Sequence, residues 1–433
     1  MRRLTEEQVD RIAGELAARM GTGMSDAAAV PGGAKDGPPG VALPPAARVP
    51  LQTGGTGEGV YETVDDCVKA ARQAFVNLGD ATLSKRSEMI AAVRDAMRVH
   101  GDDLAKLAWE ETGLGRYEDK IIKNSLVTEK TPGTEALRPE TTTGDNGLTL
   151  MEYAPFGVIG AITPTTNPTS TIICNTIGML AAGNSVVFNV HPGAAKCSMA
   201  TVRLINRAVT AVGGPADMVT AVARPTIESA TELMHHKGID LLVVTGGPGV
   251  VKAAMKSGKR AVCAGPGNPP VVVDATADIP AAGRDIVYGA GFDNNIVCVD
   301  EKEVFVVDAV ADDLMRAMRD NGAYQVDQSE LRKLERVIFT ENRGPRTHSV
   351  INKDLVGKNA GEILSHIGVN QGPECKLVFA EVPEDHPLVW SEQLMPVLPV
   401  VRVSDVDRAI ALAKEAEHGF GHSASMFSRD IDA

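Results

Sequence analysis

A thiol does covalent chemistry when its thiolate can meet an electrophile in a cleft. Six cysteines compete for that role: Cys67, Cys174, Cys197, Cys263, Cys298 and Cys375. Cys298 has the most suggestive setting. It lies in FDNNIVCVDEKEV (292–304), with Asp293, Asn294 and Asn295 ahead of it and a valine-rich run behind. Polar amides before an apolar strand describe a loop that presents the thiol to a cleft. The same pattern also fits an inert core cysteine, which is what most cysteines are. Cys174 and Cys197 fall in helical patterns, and Cys67 and Cys375 also read as structural.

Other stretches could supply partners. TPTTNPTST (163–171) follows an apolar strand, and Pro168 suits the first turn of a helix. Thr165, Thr166 and Asn167 can then direct donors into a cleft, where an amide would stabilise an oxyanion, or they can simply cap the helix. VVTGGPGVV (243–251) reads as buried strand, glycine turn and helix. Gly246 and Gly247 would let backbone approach a pyrophosphate at the helix start; a ligand-free tight turn fits as well. Glu392, in SEQLMPVLPVV, could hold a pair of ribose hydroxyls or be an edge charge. His422, in GFGHSASMFS, could reach a cleft or be a hydrogen-bonded structural histidine. No metal site is expected. His235 and His236 are neighbours that cannot share a helix face, and no cysteine pair has zinc-ligand spacing.

The elements that must position these residues alternate regularly. Residues 62–78 and 84–111 read as helices, and LTLMEYAP (148–155) as a strand or hairpin arm. GVIGAIT, SVVFNVH, DMVTAV and GIDLLVVTGG then read as strands. They alternate with the helices PTSTIICNTIGMLAAG, AAKCSMATVRLINRAV, TIESATELMHH and PGVVKAAMKSG. Continuously apolar strands alternating with helices predict an α/β fold with a parallel, doubly wound sheet, which binds ligands at the carboxyl ends of its strands. A second unit begins near GPGNPPVVVDATADI, with its own alternation through VFVVD (304–308) and LPVVRVSDVDRAIALAKEA (398–416).

A chain of 433 residues is more than one core usually serves, so two large domains are expected. With only 4% aromatics, the core must be built from Val, Ile, Leu and Ala. A net charge of −13 argues against a nucleic-acid or anionic-membrane surface, so contacts to phosphates would have to be local. The scattered cysteines read as reduced and cytosolic. MRRLTEEQVD leads into charge rather than an apolar run, so no signal peptide is expected. The most apolar window, 172–188, is broken by Asn175, Gly183 and Asn184 and is too polar to span a membrane. Residues 1–20 predict an amphipathic helix, with Thr5 and Gln8 as a capping box and Val9, Ile12, Leu16 and Met20 on one face. A Gly-, Pro- and Ala-rich linker follows, at 21–59. The helix either folds back or docks on another protein.

Taken in order, TPTTNP, AAGNSVVF, GGPADMV, VTGG, AGPGNPP, FDNNIVC and EQLMPV resemble the aldehyde dehydrogenase superfamily from about Val60 to the end. The resemblance implies two doubly wound, Rossmann-like α/β domains. The first, NAD-binding, would take 60–138 and 154–263, and the second, catalytic, 264–433. A small oligomerisation strand segment, 139–153, would make a homo-oligomer, a dimer or tetramer. The resemblance also implies Cys298 as nucleophile, with an oxyanion donor from Thr166 or Asn167 together with the Cys298 backbone N–H. NAD contacts would come from Thr163, Pro164, Thr165, Asn189, Thr245, Gly246, Gly247 and Glu392. Asn189 falls near the lysine that many members place on the adenine-side ribose, so that contact would differ here.

Hydrolytic members carry a glutamate just before the segment that opens the catalytic half. Here that stretch reads AVCAGPGNPP, and the position falls at or beside Cys263. Water has a pKa of about 15.7 and a thiol about 8.5, so water needs a base across roughly seven more units. Without the glutamate, an acyl group should pass to a thiol, with coenzyme A the obvious one. These departures resemble the CoA-acylating acetaldehyde and propionaldehyde dehydrogenases of bacterial microcompartments, whose N-terminal helix is a tag for the protein shell. A cytoplasmic enzyme acting on a short aliphatic aldehyde inside such a compartment is the implied reading. The alternatives are a hydrolytic aldehyde dehydrogenase and an inactive nucleotide- or shell-binding module. The family pattern continues past SASMFSRDIDA, so the chain is expected to be clipped.

Overall fold

The computed structural model describes residues 48–433; the expected helix at 1–20 and the linker up to residue 47 lie outside them. The remainder of that linker, 48–59, is tied down. Arg203 donates to the Gln52 and Gly55 carbonyls, Asn206 to the Glu58 carbonyl, and Arg207 pairs with the Glu58 carboxylate. Pro and Gly content predicts freedom only where nothing nearby binds the backbone, and here buried Arg203 does.

The first half builds β1 (Val60–Tyr61), a hairpin of β2 (Glu140–Gly144) and β3 (Gly147–Met151), then β4 (Val158–Ile162), β5 (Ser185–Asn189), β6 (Val219–Val222), β7 (Leu241–Thr245) and β8 (Ala261–Ala264). Apart from the hairpin these form one parallel sheet in the order β1-β6-β5-β4-β7-β8. A strand sends successive side chains to opposite faces, and a sheet covered on both sides must be apolar at every position. Ile159, Ala161, Val186 and Phe188 accordingly join one core cluster, and Val158, Ile162 and Val187 another.

The second half builds β9 (Pro270–Val273), β10 (Glu303–Val307), β11 (Ala323–Gln325), a short pair β12 (Phe339–Glu341) and β13 (Val350–Ile351), then β14 (Leu377–Glu381), β15 (Val397–Val403) and β16 (Ser425–Phe427). Its main sheet is also parallel, in the order β11-β14-β15-β10-β9-β16. Alternation again divides the core, with Phe305 and Val307 on one side and Val304 and Val306 on the other.

In the first sheet the chain winds outward from β4 through β5 and β6, then returns to the other side of β4 as β7. That reversal opens a crevice beyond the carboxyl ends of β4 and β7, where doubly wound sheets bind ligands. The hairpin turns no side chain into either core. Leu148, Leu150, Met151 and Tyr153 beside it are all exposed. No helix among the described residues is long and apolar enough to cross a membrane.

Candidate active site

Several chain segments converge on one cavity of about 1070 Å³. β4 ends at Ile162, and the turn after it brings Pro164, Thr166 and Asn167 to the wall before Pro168 opens the helix Pro168–Ala181. β7 delivers Thr245, Gly246 and Gly247, and Pro248 opens the next helix, Pro248–Met255. β8 delivers Cys263 and Ala264, and the turn before β15 delivers Glu392. Cys298 closes the ring with His422.

The expected loop before Cys298 is a tight turn. Asp293, Asn294 and Asn295 all have positive φ, at 44°, 57° and 62°. Asn and Asp tolerate this left-handed region better than other residues with a side chain, though each such position costs on the order of 1–3 kcal/mol. Buried hydrogen bonds hold the turn. Asp293 accepts from the Arg116 N–H at 2.6 Å and from Lys120 Nζ at 3.2 Å, and it pairs with Lys123. Asn294 accepts from Arg116 Nε at 2.8 Å and donates to the Gly357 carbonyl at 2.8 Å. Asn295 donates to the Ala290 and Glu301 carbonyls and accepts from Lys302 Nζ at 2.6 Å.

Lys302 is fully buried under this turn, and its ammonium also reaches the Val297 carbonyl at 3.2 Å. Burial pushes the Cys298 thiol up, Lys302 pulls it back down, and Glu392 pushes it up again. Burial likewise raises Glu392, against the pull of Lys302 and the Gly267 N–H. Burial drives Asp300 up to about 7, with Lys302 and the Val297 N–H opposing. Cys67 behaves as an inert core thiol, since burial pushes it up to about 12. Buried Cys197 rises further for the same reason.

Gly267 separates two cavity residues. A Cβ there would lie 2.8 Å from the Cys298 carbonyl oxygen and 3.1 Å from Cγ of His422. The His422 ring accepts or donates at Nδ1 to Ser423 at 3.0 Å. His418 is occupied elsewhere, with Nε2 on the Trp390 carbonyl at 3.1 Å.

Three of the expected nucleotide contacts do not line the cavity. Thr163 is buried, with its hydroxyl lacking a partner among the described residues. Thr165 is half-buried with its hydroxyl toward Gly193. Asn189 is buried at the end of β5, where it accepts from Ser229 and donates to the Thr226 carbonyl, within the capping box of the helix Ile227–His235.

The sequence reading missed the helix Tyr117–Lys130, whose Lys120 and Lys123 reach the turn before Cys298, and it missed the cations Lys252, Arg343 and Lys353 on the cavity wall. Lys120 and Lys123 are buried, a role that neither periodicity nor motif predicts for lysine. DEKE, 300–303, is four charged residues in a row, yet Lys302 and Glu303 are both fully buried.

Comparison with known proteins identifies the family and the fold. Residues 52–433 fit the model of the aldehyde dehydrogenase family. The acetylating acetaldehyde dehydrogenase EutE of Salmonella typhimurium is 49% identical over 86% of this chain and 80% of its own. The crystal structure of Rhodopseudomonas palustris propionaldehyde dehydrogenase, with bound CoA and an acylated cysteine, superposes with a TM-score of 0.83 at 47% identity, covering 87% of this chain and 85% of that one. A propionaldehyde dehydrogenase from the Clostridium phytofermentans fucose utilisation bacterial microcompartment gives 0.82 at 44% identity, over 87% and 85%. The chain belongs to the aldehyde dehydrogenase family.

Proposed function

We infer that this enzyme oxidises a short aliphatic aldehyde, propionaldehyde or acetaldehyde, to its acyl-CoA with NAD, through a thioester on Cys298. The observation that carries the reading is the shared cavity. Cys298, Asn167 and Thr166 line it together with a glycine turn at a helix N-terminus, and Cys263 lines it at or beside the position where a hydrolytic enzyme would need a carboxylate.

The residues suit both nucleotides. The Gly246–Gly247 turn leaves the space beside Gly247 open, so backbone N–H groups and the helix start can face a pyrophosphate. Lys252, Arg343 and Lys353 add local positive charge to an acidic chain, and Glu392 can accept from ribose hydroxyls. Bound NAD supplies the hydride acceptor.

The chain's own work is as follows. The Cys298 thiolate adds to the aldehyde carbon, and its lone pair becomes the C–S bond. The carbonyl electrons move to oxygen, where the Cys298 backbone N–H and the Thr166 or Asn167 donor stabilise the negative charge. When that oxyanion re-forms the carbonyl, hydride is expelled and a thioester remains on Cys298. The thiol of coenzyme A then takes the acyl group, and Cys298 leaves as thiolate. We assign to His422, whose ring lies across Gly267 from the Cys298 carbonyl, the role of taking the CoA thiol proton. A few per cent of a thiol is already ionised at neutral pH, so this step needs a far weaker base than water attack.

Residues 1–20 we assign to docking on a microcompartment shell, and the enzyme with them to such a compartment in the cytoplasm; the microcompartment source of one relative supports this reading. The exposed apolar side chains of the β2–β3 hairpin we assign to homo-oligomerisation, as a dimer or tetramer.

Peptide mapping after incubation with aldehyde and NAD, without CoA, tests the reading. The acyl adduct is expected on Cys298 alone. Acyl-CoA formation by Cys298→Ala, or an adduct on another cysteine, would overturn it.

A further inference from the structure

The donor that faces a developing oxyanion must present hydrogen. A carboxamide turned over by 180° fills almost the same space while presenting oxygen, which would repel the charge. Something must therefore fix the Asn167 amide, and Lys123 touches it. An ammonium is a donor only, so its contact with the amide identifies Oδ1. Lys123 Nζ lies 2.5 Å from Asn167 Oδ1. The amide nitrogen then points the other way, donating one hydrogen to Thr166 Oγ1 at 3.1 Å. The second N–H has no partner among the described residues, and Asn167 lines the cavity. Packing supports the orientation, because Lys123 is buried and cannot swing into water.

The same ammonium is ion-paired with Asp293, in the left-handed turn that leads into Cys298. One side chain thus joins the oxyanion donor after β4 to the turn carrying the nucleophile. Lys120, one helical turn earlier, offers a contrast. It reaches Asp293 at 3.2 Å and has no contact with Asn167.

We propose that Lys123 is a positioning residue: its ammonium locks the Asn167 carboxamide with N–H toward the cavity and ties it to the Cys298 turn. The proposal rests on the reading of Asn167 as oxyanion donor.

The test compares wild type, Lys123→Met, Lys120→Met, Asn167→Ala and the double variant Lys123→Met/Asn167→Ala. The rate of NADH appearance in a single turnover, with propionaldehyde and NAD but without CoA, reports oxyanion stabilisation. Alkylation of Cys298 by iodoacetamide, which forms no oxyanion, reports the thiol and its turn. Losing one oxyanion donor typically slows catalysis about 10²–10³-fold. Lys123→Met is expected to lose about that much in the NADH rate, with KM for aldehyde and the alkylation rate unchanged. Asn167→Ala should lose a similar factor, and the double variant no more than Asn167→Ala alone. Lys120→Met, whose ammonium touches Asp293 but not Asn167, should lose far less in the NADH rate than Lys123→Met, despite removing an equal charge from the same helix.

A full NADH rate in Lys123→Met, additive losses in the double variant, or an equal loss in Lys120→Met would each overturn the proposal. Asn167→Ala turning over at full rate would remove the donor reading itself. Removal of Lys123 leaves Asp293 paired with Lys120, so the charge stays balanced. Should Lys123→Met not fold, Lys123→Arg keeps a donor and should retain the NADH rate where Lys123→Gln, shorter and uncharged, loses it; the reverse order would sink the proposal.

Discussion

Asp300→Asn should stabilise the protein at neutral pH and leave it unchanged in acid. Asp300 is buried two residues from Cys298, accepts from the Val297 N–H at 3.1 Å, and has its carboxyl raised to about 7. In the unfolded chain the same group ionises near 3.9. Below pH 4 it is protonated in both states, so its ionisation carries no penalty. Between pH 4 and 7 the unfolded chain releases the proton while the folded one keeps it. The folded state then binds more protons, and stability falls as pH rises. Above pH 7 both are ionised and the penalty is constant. A shift of about 3 units at 1.36 kcal/mol each amounts to about 4 kcal/mol. Asn keeps an oxygen for the Val297 N–H but cannot ionise. Urea unfolding of both proteins, followed by fluorescence of Trp109 and Trp390 from pH 4.5 to 8, should show the variant's advantage growing from about 1 kcal/mol toward that value. A pH-independent difference would refute the reasoning. So would a variant that loses ground as pH rises, since Lys302 would then be outweighing burial.

Three further outcomes follow from the site. Gly267→Ala places a methyl 2.8 Å from the Cys298 carbonyl and 3.1 Å from the His422 ring. Displacing reacting groups by about 1 Å can cost about 10²-fold, so acyl-CoA formation should fall by that order while circular dichroism is unchanged. Cys263→Glu adds a carboxylate to the cavity at or beside the position of the hydrolytic glutamate, and it should gain steady NADH production without CoA. Leu148→Asp with Leu150→Asp places charge on an exposed apolar hairpin, and light scattering should report a smaller assembly with the fold retained.

The strands and the Cys298 turn were legible because local chemistry dictates them. VIGAI and LLVVT are apolar at every position because helices cover both sheet faces, and the order of the elements identified the crevice. Asp293, Asn294 and Asn295 were visible as a polar loop, and they are residue types that accept positive φ. What lay hidden depended on contacts distant in sequence. Lys123 meets Asn167 and Asp293 across separations of 44 and 170 positions, and nothing in YEDKIIKNSLVTEK marks it for burial. Lys302 and Glu303 were hidden in a charge run that the fold draws inside. Asn189 was read as a nucleotide contact from the family resemblance, because it falls near the lysine many members place on the adenine-side ribose, but its side chain meets the capping box of the helix Ile227–His235. Residues 48–59 read as linker because composition does not reveal that Arg203 waits for their carbonyls.

The central claim is that an acyl group on Cys298 leaves to sulfur rather than to water. A stopped-flow NADH trace with propionaldehyde and NAD, first without CoA and then after its addition, tests this most directly. One equivalent of NADH per chain, a halt, and resumption on adding CoA is the predicted record. Undiminished linear production before CoA is added would contradict it.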